Sequence, residues 1–438
     1  MAILSRSSAF SRVTALAEQR PLHEAFRWLH LHGPQMMRWQ AELTAIPAPP
    51  FGEEKRSAWM GDKFRQAALN QVTTDTIGNV FGILPGPEAK HAAASPVVLL
   101  SAHLDTVFPV GTPLQPVVAD DRIEGPGACD NAAGVIGMLA VAHALAKSQM
   151  PLNATLVFAG NVGEEGEGDL RGVRHIYQHS DLAKRIAVHI VLDGAGAETA
   201  VTQALGSRRF QITISGPGGH SFTDAGTPNP IVVLALALTN LTQTSLQSDL
   251  SSEAAGPRTT FNVGTIQGGT SVNTIPESAS ATVDFRSTDV RQLLRLEVAL
   301  FRAVEDAVEL ANAAPKSSSR AGAKGKAHRS LGVRENLRYS IDKIGDRPAA
   351  DLPGDSPLLE ALRAVDRHLG LRTDLRLGST DANIPLSLGI PALSLGAGGE
   401  GGGAHTRGEW YSAVNRELGL RRILLLTLAM LEWAGKLP

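Results

Sequence analysis

The chain has 438 residues, 43% of them hydrophobic, which is enough to bury a large core in about two or three domains. With 41 basic against 43 acidic residues and a formal net charge of -2, no overall field draws nucleic acid or an anionic membrane, so small-molecule or peptide chemistry is expected. One cysteine, Cys129, excludes an internal disulfide framework and fits a reducing compartment.

Residues 1–19 are interrupted by Arg6 and Arg12 and contain no continuous apolar segment, so no signal peptide is expected. The late apolar stretch from Ile423 to Leu431 is far short of the roughly 20 residues of a membrane span. A cytoplasmic protein is therefore expected.

The first 60 residues read as helical, with Leu22, Phe26, Leu29, Met37 and Leu43 at helical spacing, until the proline-rich Ile46–Pro50; a helix resumes from Glu53 to Leu69. From Asn79 to Gly194 strand-like and helical runs alternate: Val97–Leu100, Ala132–Ala146, Ala154–Gly160, Asp169–His179 and Ile186–Leu192. Such alternation predicts an α/β fold with a mixed, largely parallel sheet flanked by helices. The middle of the chain changes pattern. Arg208–Ser215, Thr259–Ile266, Ser278–Asp284 and Leu337–Ile344 read as strands, and Pro230–Leu241 and Val290–Leu310 as helices; Leu293, Leu296, Leu300, Val304 and Val308 share one face. The order β, α, β, β, α, β predicts an inserted ferredoxin-like α+β unit. Expected boundaries are residues 1–205 and 349–438 for a split catalytic domain and 206–348 for the insertion. Within it, residues 315–330 carry Lys316, Arg320, Lys324, Lys326 and Arg329 without an acid and read as a disordered surface segment. A helix follows Asp355-Ser356-Pro357, and the last runs from about Glu417 to Trp433.

Polar residues able to hold a metal fall where apolar runs give way to glycine: His103-Leu104-Asp105, Asp130-Asn131, Glu164-Glu165, Asp193 and His405. Strands of an open α/β sheet build sites at their carboxyl ends, and carboxylates buried there need a partner or a cation. Asp130, at a helix start, is placed either to bridge two ions or to serve as an N-cap. In Glu164-Glu165 one carboxylate can bind metal while its neighbour takes a proton. His103 and Asp105, two apart on an extended segment, point to one side, where Asp105 can orient the imidazole. Cys129 reads as a small buried residue rather than a ligand.

Ser101-Ala102-His103-Leu104-Asp105-Thr106-Val107, Gly127–Gly134, Gly163-Glu164-Glu165-Gly166, Leu192-Asp193-Gly194, Gly216-Pro217-Gly218-Gly219-His220-Ser221 and Gly402-Gly403-Ala404-His405-Thr406 resemble, in this order, the di-zinc exopeptidase and deacylase family. That family includes peptidase T, carboxypeptidase G, the zinc aminoacylases and succinyl-diaminopimelate desuccinylase. The resemblance implies two Zn²⁺ ions, with Co²⁺ or Mn²⁺ as substitutes. It puts His103, Asp130 and Asp193 on one ion, Asp130, Glu165 and His405 on the other, and makes Glu164 the general base and acid. It further implies that the insertion is a lid and dimerisation domain, that His220 polarises the scissile carbonyl, and that Asn273 and Arg286 hold a substrate carboxylate. The expected activity is amide hydrolysis in short peptides, of aminopeptidase or dipeptidase type, which Asp193 favours over Glu at that position. An N-acyl amino acid deacylase or carboxypeptidase G-like hydrolase is the alternative. A non-catalytic binding protein on the same fold would be marked by a lost ligand or base, and none is lost.

Overall fold

The computed structural model describes residues 8–86, 95–247, 258–313 and 336–437. The basic segment 315–330 lies outside the described residues. The chain divides into two compact units, Met1–Ala204 with Ala350–Pro438, and Leu205–Ala349.

In chain order the first unit contributes α1 (Ala9–Ala17), α2 (Arg20–Leu31), α3 (Gly33–Thr44), α4 (Glu54–Gln66), β1 (Asn70–Thr74), β2 (Val80–Leu84), β3 (Val97–His103), β4 (Val117–Ala119), β5 (Arg122–Glu124), α5 (Ala132–Ser148), β6 (Thr155–Asn161), α6 (Arg171–His179), β7 (Ile186–Leu192) and β8 (Thr199–Ala204). The second unit holds β9 (Gly206–Ser215), β10 (Gly219–His220), α7 (Pro230–Gln247), β11 (Thr259–Gly268), β12 (Thr274–Ile275), β13 (Ser278–Ser287), α8 (Val290–Ala313) and β14 (Arg338–Arg347). The chain then returns with β15 (Ala350–Asp351), α9 (Pro357–Leu369), β16 (Asp374–Gly378), α10 (Asn383–Ser387), β17 (Ala392–Leu395), β18 (Glu400–Gly402), β19 (Trp410–Ser412) and α11 (Arg416–Ala434).

The expected first helical stretch is cut into three. Pro21 and Pro34 stand in the first turns of α2 and α3, where a missing N–H costs nothing and φ is already helical. The expected helix from Asp169 begins at Arg171 instead, because Asp169 and Leu170 adopt left-handed backbone angles.

The main sheet runs β1-β2-β6-β3-β7-β17-β8-β15, with β16 also paired to β8. Its centre, β6, β3, β7 and β17, is parallel. Strands buried on both faces need apolar residues at every position, and β3 supplies them: Val98, Leu100 and Ala102 enter one hydrophobic cluster, Val97 and Leu99 another. Each of the valine and leucine side chains contributes about 1.5–3 kcal/mol of burial. The odd-face polar residue, Ser101, is bonded to His189 Nε2 at 2.8 Å. The outcome of this layering is that His103, Asn161 and Leu192 all end at the same sheet edge, as the registers of β3 with β6 and with β7 show. A smaller sheet, β18-β19-β5-β4, arises from strands too short to carry a readable alternation and was not expected.

In the second unit β11-β13-β9-β14 form an antiparallel sheet. Counted in chain order its strands lie 2-3-1-4, the ferredoxin-like arrangement. Phe210, Ile212 and Ile214 of β9 and Ala281, Val283 and Phe285 of β13 pack in a separate core with Leu234 and Leu241 of α7 and Leu293, Leu300 and Val304 of α8. Among the described residues no helix is long and apolar enough to cross a membrane.

Candidate metal centre

Each candidate residue of the first unit sits at or near an end of a regular element. His103 is the last residue of β3, and Asp105 follows it; Glu164 and Glu165 lie just beyond β6, and Asp193 just beyond β7. Asp130 precedes α5. The N-cap of that helix is Asn131, whose Oδ1 accepts the Gly134 N–H at 3.1 Å, so the capping alternative for Asp130 falls and its carboxylate is left for other partners. His405 stands in a turn with φ 64 after β18.

Asp130 lies between two imidazoles. His103 Nε2 is 3.1 Å from Asp130 Oδ1, and His405 Nε2 is 3.1 Å from Asp130 Oδ2. His405 Nε2 is also 3.0 Å from Glu165 Oε1, and His103 Nε2 is 3.9 Å from Asp193 Oδ1. Ligand-type atoms therefore gather in three overlapping groups: His103, Asp130 and Asp193; Asp130, Glu165 and His405; and His103, Glu164 and Glu165.

Asp105 does more than face His103. Its two carboxylate oxygens accept the Glu164 N–H at 3.0 Å and the Glu165 N–H at 2.8 Å, while His103 Nδ1 is nearer the Asp105 carbonyl, at 3.1 Å, than the carboxylate, at 3.5 Å. One buried acid thus fixes the loop bearing both glutamates and orients the histidine.

The electrostatics describe a site that demands positive charge. Burial pushes Glu165 up to about 7, aided by the neighbouring Asp130. Burial opposes charge on Asp130 as well, yet its bonds to His103 and His405 hold it well below the usual carboxylate range. Its bond to Asp130 leads the causes that raise His405 to about 9, and Glu165 adds to them against a smaller cost of burial. In His103 the cost of burial is outweighed by Asp105, Asp130 and Asp193, which raise it well above its ordinary value. Hard carboxylate oxygens joined with two imidazole nitrogens suit a divalent cation such as Zn²⁺, Co²⁺ or Mn²⁺, and a carboxylate offering one oxygen to each side suits a pair. The donor set fits the group that the sequence implies.

In the second unit, His220 on β10 and Asn273 beside β12 come together: β10 pairs with β12, and the Ser221 N–H donates to the Asn273 carbonyl at 2.9 Å. Arg286 does not join them. At roughly 3.3 Å per residue it stands about 26 Å along β13 from Ser278, the end nearer the β10–β12 pair, and its Nε donates to Asp284 at 2.7 Å.

Three residues that sequence reasoning passed over belong to the surroundings of the centre. Asn131 donates to the Leu192 carbonyl at 2.9 Å and accepts the Gly194 N–H at 3.0 Å, bracketing Asp193. Asp381, pushed up to about 6 by burial, accepts from Asn161 Nδ2 at 2.6 Å. Glu409, fully buried, accepts from the N–H groups of Gly127, Cys129 and Asp130. The usable signals were the adjacency of Asn131 to Asp130 and the short spacing from His405 to Glu409. Cys129 is buried, and burial raises its thiol to about 12, which keeps it protonated.

The model of the family described as Peptidase family M20/M25/M40 matches residues 99–429. A succinyl-diaminopimelate desuccinylase of Shewanella piezotolerans is 26% identical over 374 residues, covering 81% of this chain and 87% of that protein. Among solved structures, a tripeptidase of Staphylococcus aureus is similar with a TM-score of 0.68 and 20% identity, covering 91% of this chain and 98% of that one. A dinuclear metal-binding peptidase of Bacillus subtilis gives a TM-score of 0.63 and 15% identity, with 92% and 99% covered. Those two likenesses establish a shared fold.

Proposed function

Because the chain belongs to peptidase family M20/M25/M40, whose model spans residues 99–429, we propose that it is a two-metal exopeptidase that hydrolyses an amide bond in short peptides. The observation that carries this is Asp130, with one oxygen 3.1 Å from each of the imidazoles of His103 and His405. We assign His103, Asp130 and Asp193 to one cation and Asp130, Glu165 and His405 to the other, with zinc as the native metal. A bound pair of divalent cations supplies an acidified water and a polarised carbonyl.

The residues of the chain do the rest. Glu164, its backbone tied to Asp105, takes a proton from the attacking water at its carboxylate and delivers it to the leaving amine. Glu165, on the same short loop, is assigned to the metal, so the two adjacent acids divide the work. On the strength of the family resemblance, His220 is assigned to the polarised carbonyl and Asn273 to a substrate carboxylate, whereas Arg286, at the far end of β13 and bonded to Asp284, is not assigned to that carboxylate. The same resemblance supports a homodimer formed through the second unit, and the single cysteine, Cys129, supports a cytoplasmic location.

A second reading, N-acyl amino acid deacylation, is favoured by the desuccinylase relative. A panel of dipeptides, tripeptides and N-acyl amino acids separates them: the exopeptidase cleaves free peptides, whereas the deacylase leaves every one intact. In the same assay Glu164→Ala is expected to lose at least about 10²–10⁴-fold in kcat, the usual worth of a general base, while still binding metal. Undiminished turnover would remove Glu164 from the mechanism.

A further inference from the structure

Resting on that reading of the centre, we infer that Glu409 is a positioning residue that locks the loop carrying Asp130 to the turn carrying His405, and so sets how tightly the metal pair is held.

The geometry is specific. Glu409 Oε2 accepts the Gly127 N–H at 2.8 Å, and Oε1 accepts the Cys129 N–H at 2.7 Å and the Asp130 N–H at 2.6 Å. The Gly125 N–H donates to the Glu409 carbonyl at 2.8 Å, so main chain and side chain of one residue hold the segment from 125 to 130. On its other side Glu409 is tied to the histidine turn: its N–H donates to the Thr406 carbonyl at 3.2 Å, and the Thr406 N–H donates to the Gly403 carbonyl at 3.0 Å. His405 lies inside that turn. The two ligands that meet across Asp130 Oδ2 and His405 Nε2 therefore belong to segments far apart in sequence that are joined by one carboxylate.

A carboxylate is costly to bury, and three convergent N–H groups form the kind of concave nest that accepts an anion. Gln cannot replace it, since an amide offers one oxygen and would turn an NH₂ donor towards an N–H. Asp keeps the charge but falls short by one methylene. The loop has little slack to compensate. A Cβ at Gly127, which has φ +77, would come within 2.8 Å of Thr106 Cγ2, and the Ala128 carbonyl is held by Gln40 Nε2 at 2.6 Å.

The test is calorimetric titration of Zn²⁺ into metal-free wild type, Glu409→Gln and Glu409→Asp, with thermal unfolding of the metal-free proteins measured alongside. The inference predicts dissociation constants raised about 10–100-fold in both variants, the range found when partners of metal ligands are removed. It also predicts activity that recovers towards wild type as Zn²⁺ is raised. Unchanged zinc affinity in folded variants overturns it, whatever their melting temperatures, and so does failure of both variants to fold, since the carboxylate would then serve the fold rather than the centre. Wild type that binds no metal sinks the hydrolase reading itself; two tight equivalents in wild type and in both variants sink only the role of Glu409.

Discussion

Asp105 shows how one buried side chain can act on several residues of a candidate metal centre at once. Its carboxylate anchors the N–H groups of both Glu164 and Glu165, and burial, though it disfavours the charge, is outweighed by His103 and those two N–H groups, so the group stays ionised below its ordinary range. Asp105→Asn replaces one oxygen with a donor facing an N–H. Metal affinity is expected to fall about 10–100-fold, measured by competition with a chromogenic chelator; an unchanged affinity would mean that the loop holds itself. At this scale the sequence was legible wherever a ligand-type residue followed an apolar strand, which is why His103, Glu164, Glu165 and Asp193 stood out. Glu409 and Asp381 were not, because a carboxylate whose partners are backbone N–H groups or an amide from a distant segment leaves no periodic or spaced signal. Asp105 was foreseen only in part: its contact with His103 follows from their spacing, whereas its bonds to the glutamate loop depend on how β3 and β6 align.

Among elements, α5 is the hub, since its first turn follows Asp130 and its body carries His143 into a stack of rings from α2 and α3. Trp28 lies 4.2 Å from His32 and 5.3 Å from His143, and Trp39 lies 5.1 Å from His143. Lys63 of α4 sits 5.3 Å from the Trp39 ring. Burial, with the charges of Lys147, His32 and Lys63, lowers His143 from 6.5 to about 4. The folded chain keeps this histidine neutral, while the unfolded chain protonates it near its ordinary value. Its contribution is thus complete above about pH 6.5 and disappears as the pH falls towards 4, amounting to at most about 3 kcal/mol. His143→Phe, which preserves the stack, is expected to lose less stability than wild type between pH 7 and pH 4.5 in urea titrations of metal-free protein; equal losses would place the charge cost elsewhere. The helices and central strands could be read from periodicity because they are long. The strands β1, β2, β4, β5, β18 and β19 are only three to five residues each, and their pairing is decided by tertiary contacts rather than by local pattern.

For the whole molecule, the two compact units have separate hydrophobic cores, and every proposed metal ligand belongs to the first. A ligand that binds only folded protein stabilises by about 2.7 kcal/mol at a hundredfold excess over its dissociation constant. Scanning calorimetry with and without a chelator is therefore expected to move one unfolding transition down by several degrees and leave a second in place; a single transition moving as a whole would show that the units unfold together. The α/β class and the parallel centre of the sheet followed from the alternation of Val97–Leu100, Ala154–Gly160 and Ile186–Leu192 with helices. The meeting of His405 with Asp130 could not be derived that way, because it depends on the chain returning after the whole second unit to add β17 beside β7. The most direct measurement is metal analysis of wild type and Asp130→Ala, each purified without chelator and confirmed folded. Two equivalents of divalent metal per wild-type chain and loss of both in the variant are predicted, while an Asp130→Ala chain that keeps both, or a wild type that holds none, would contradict the shared-ligand centre.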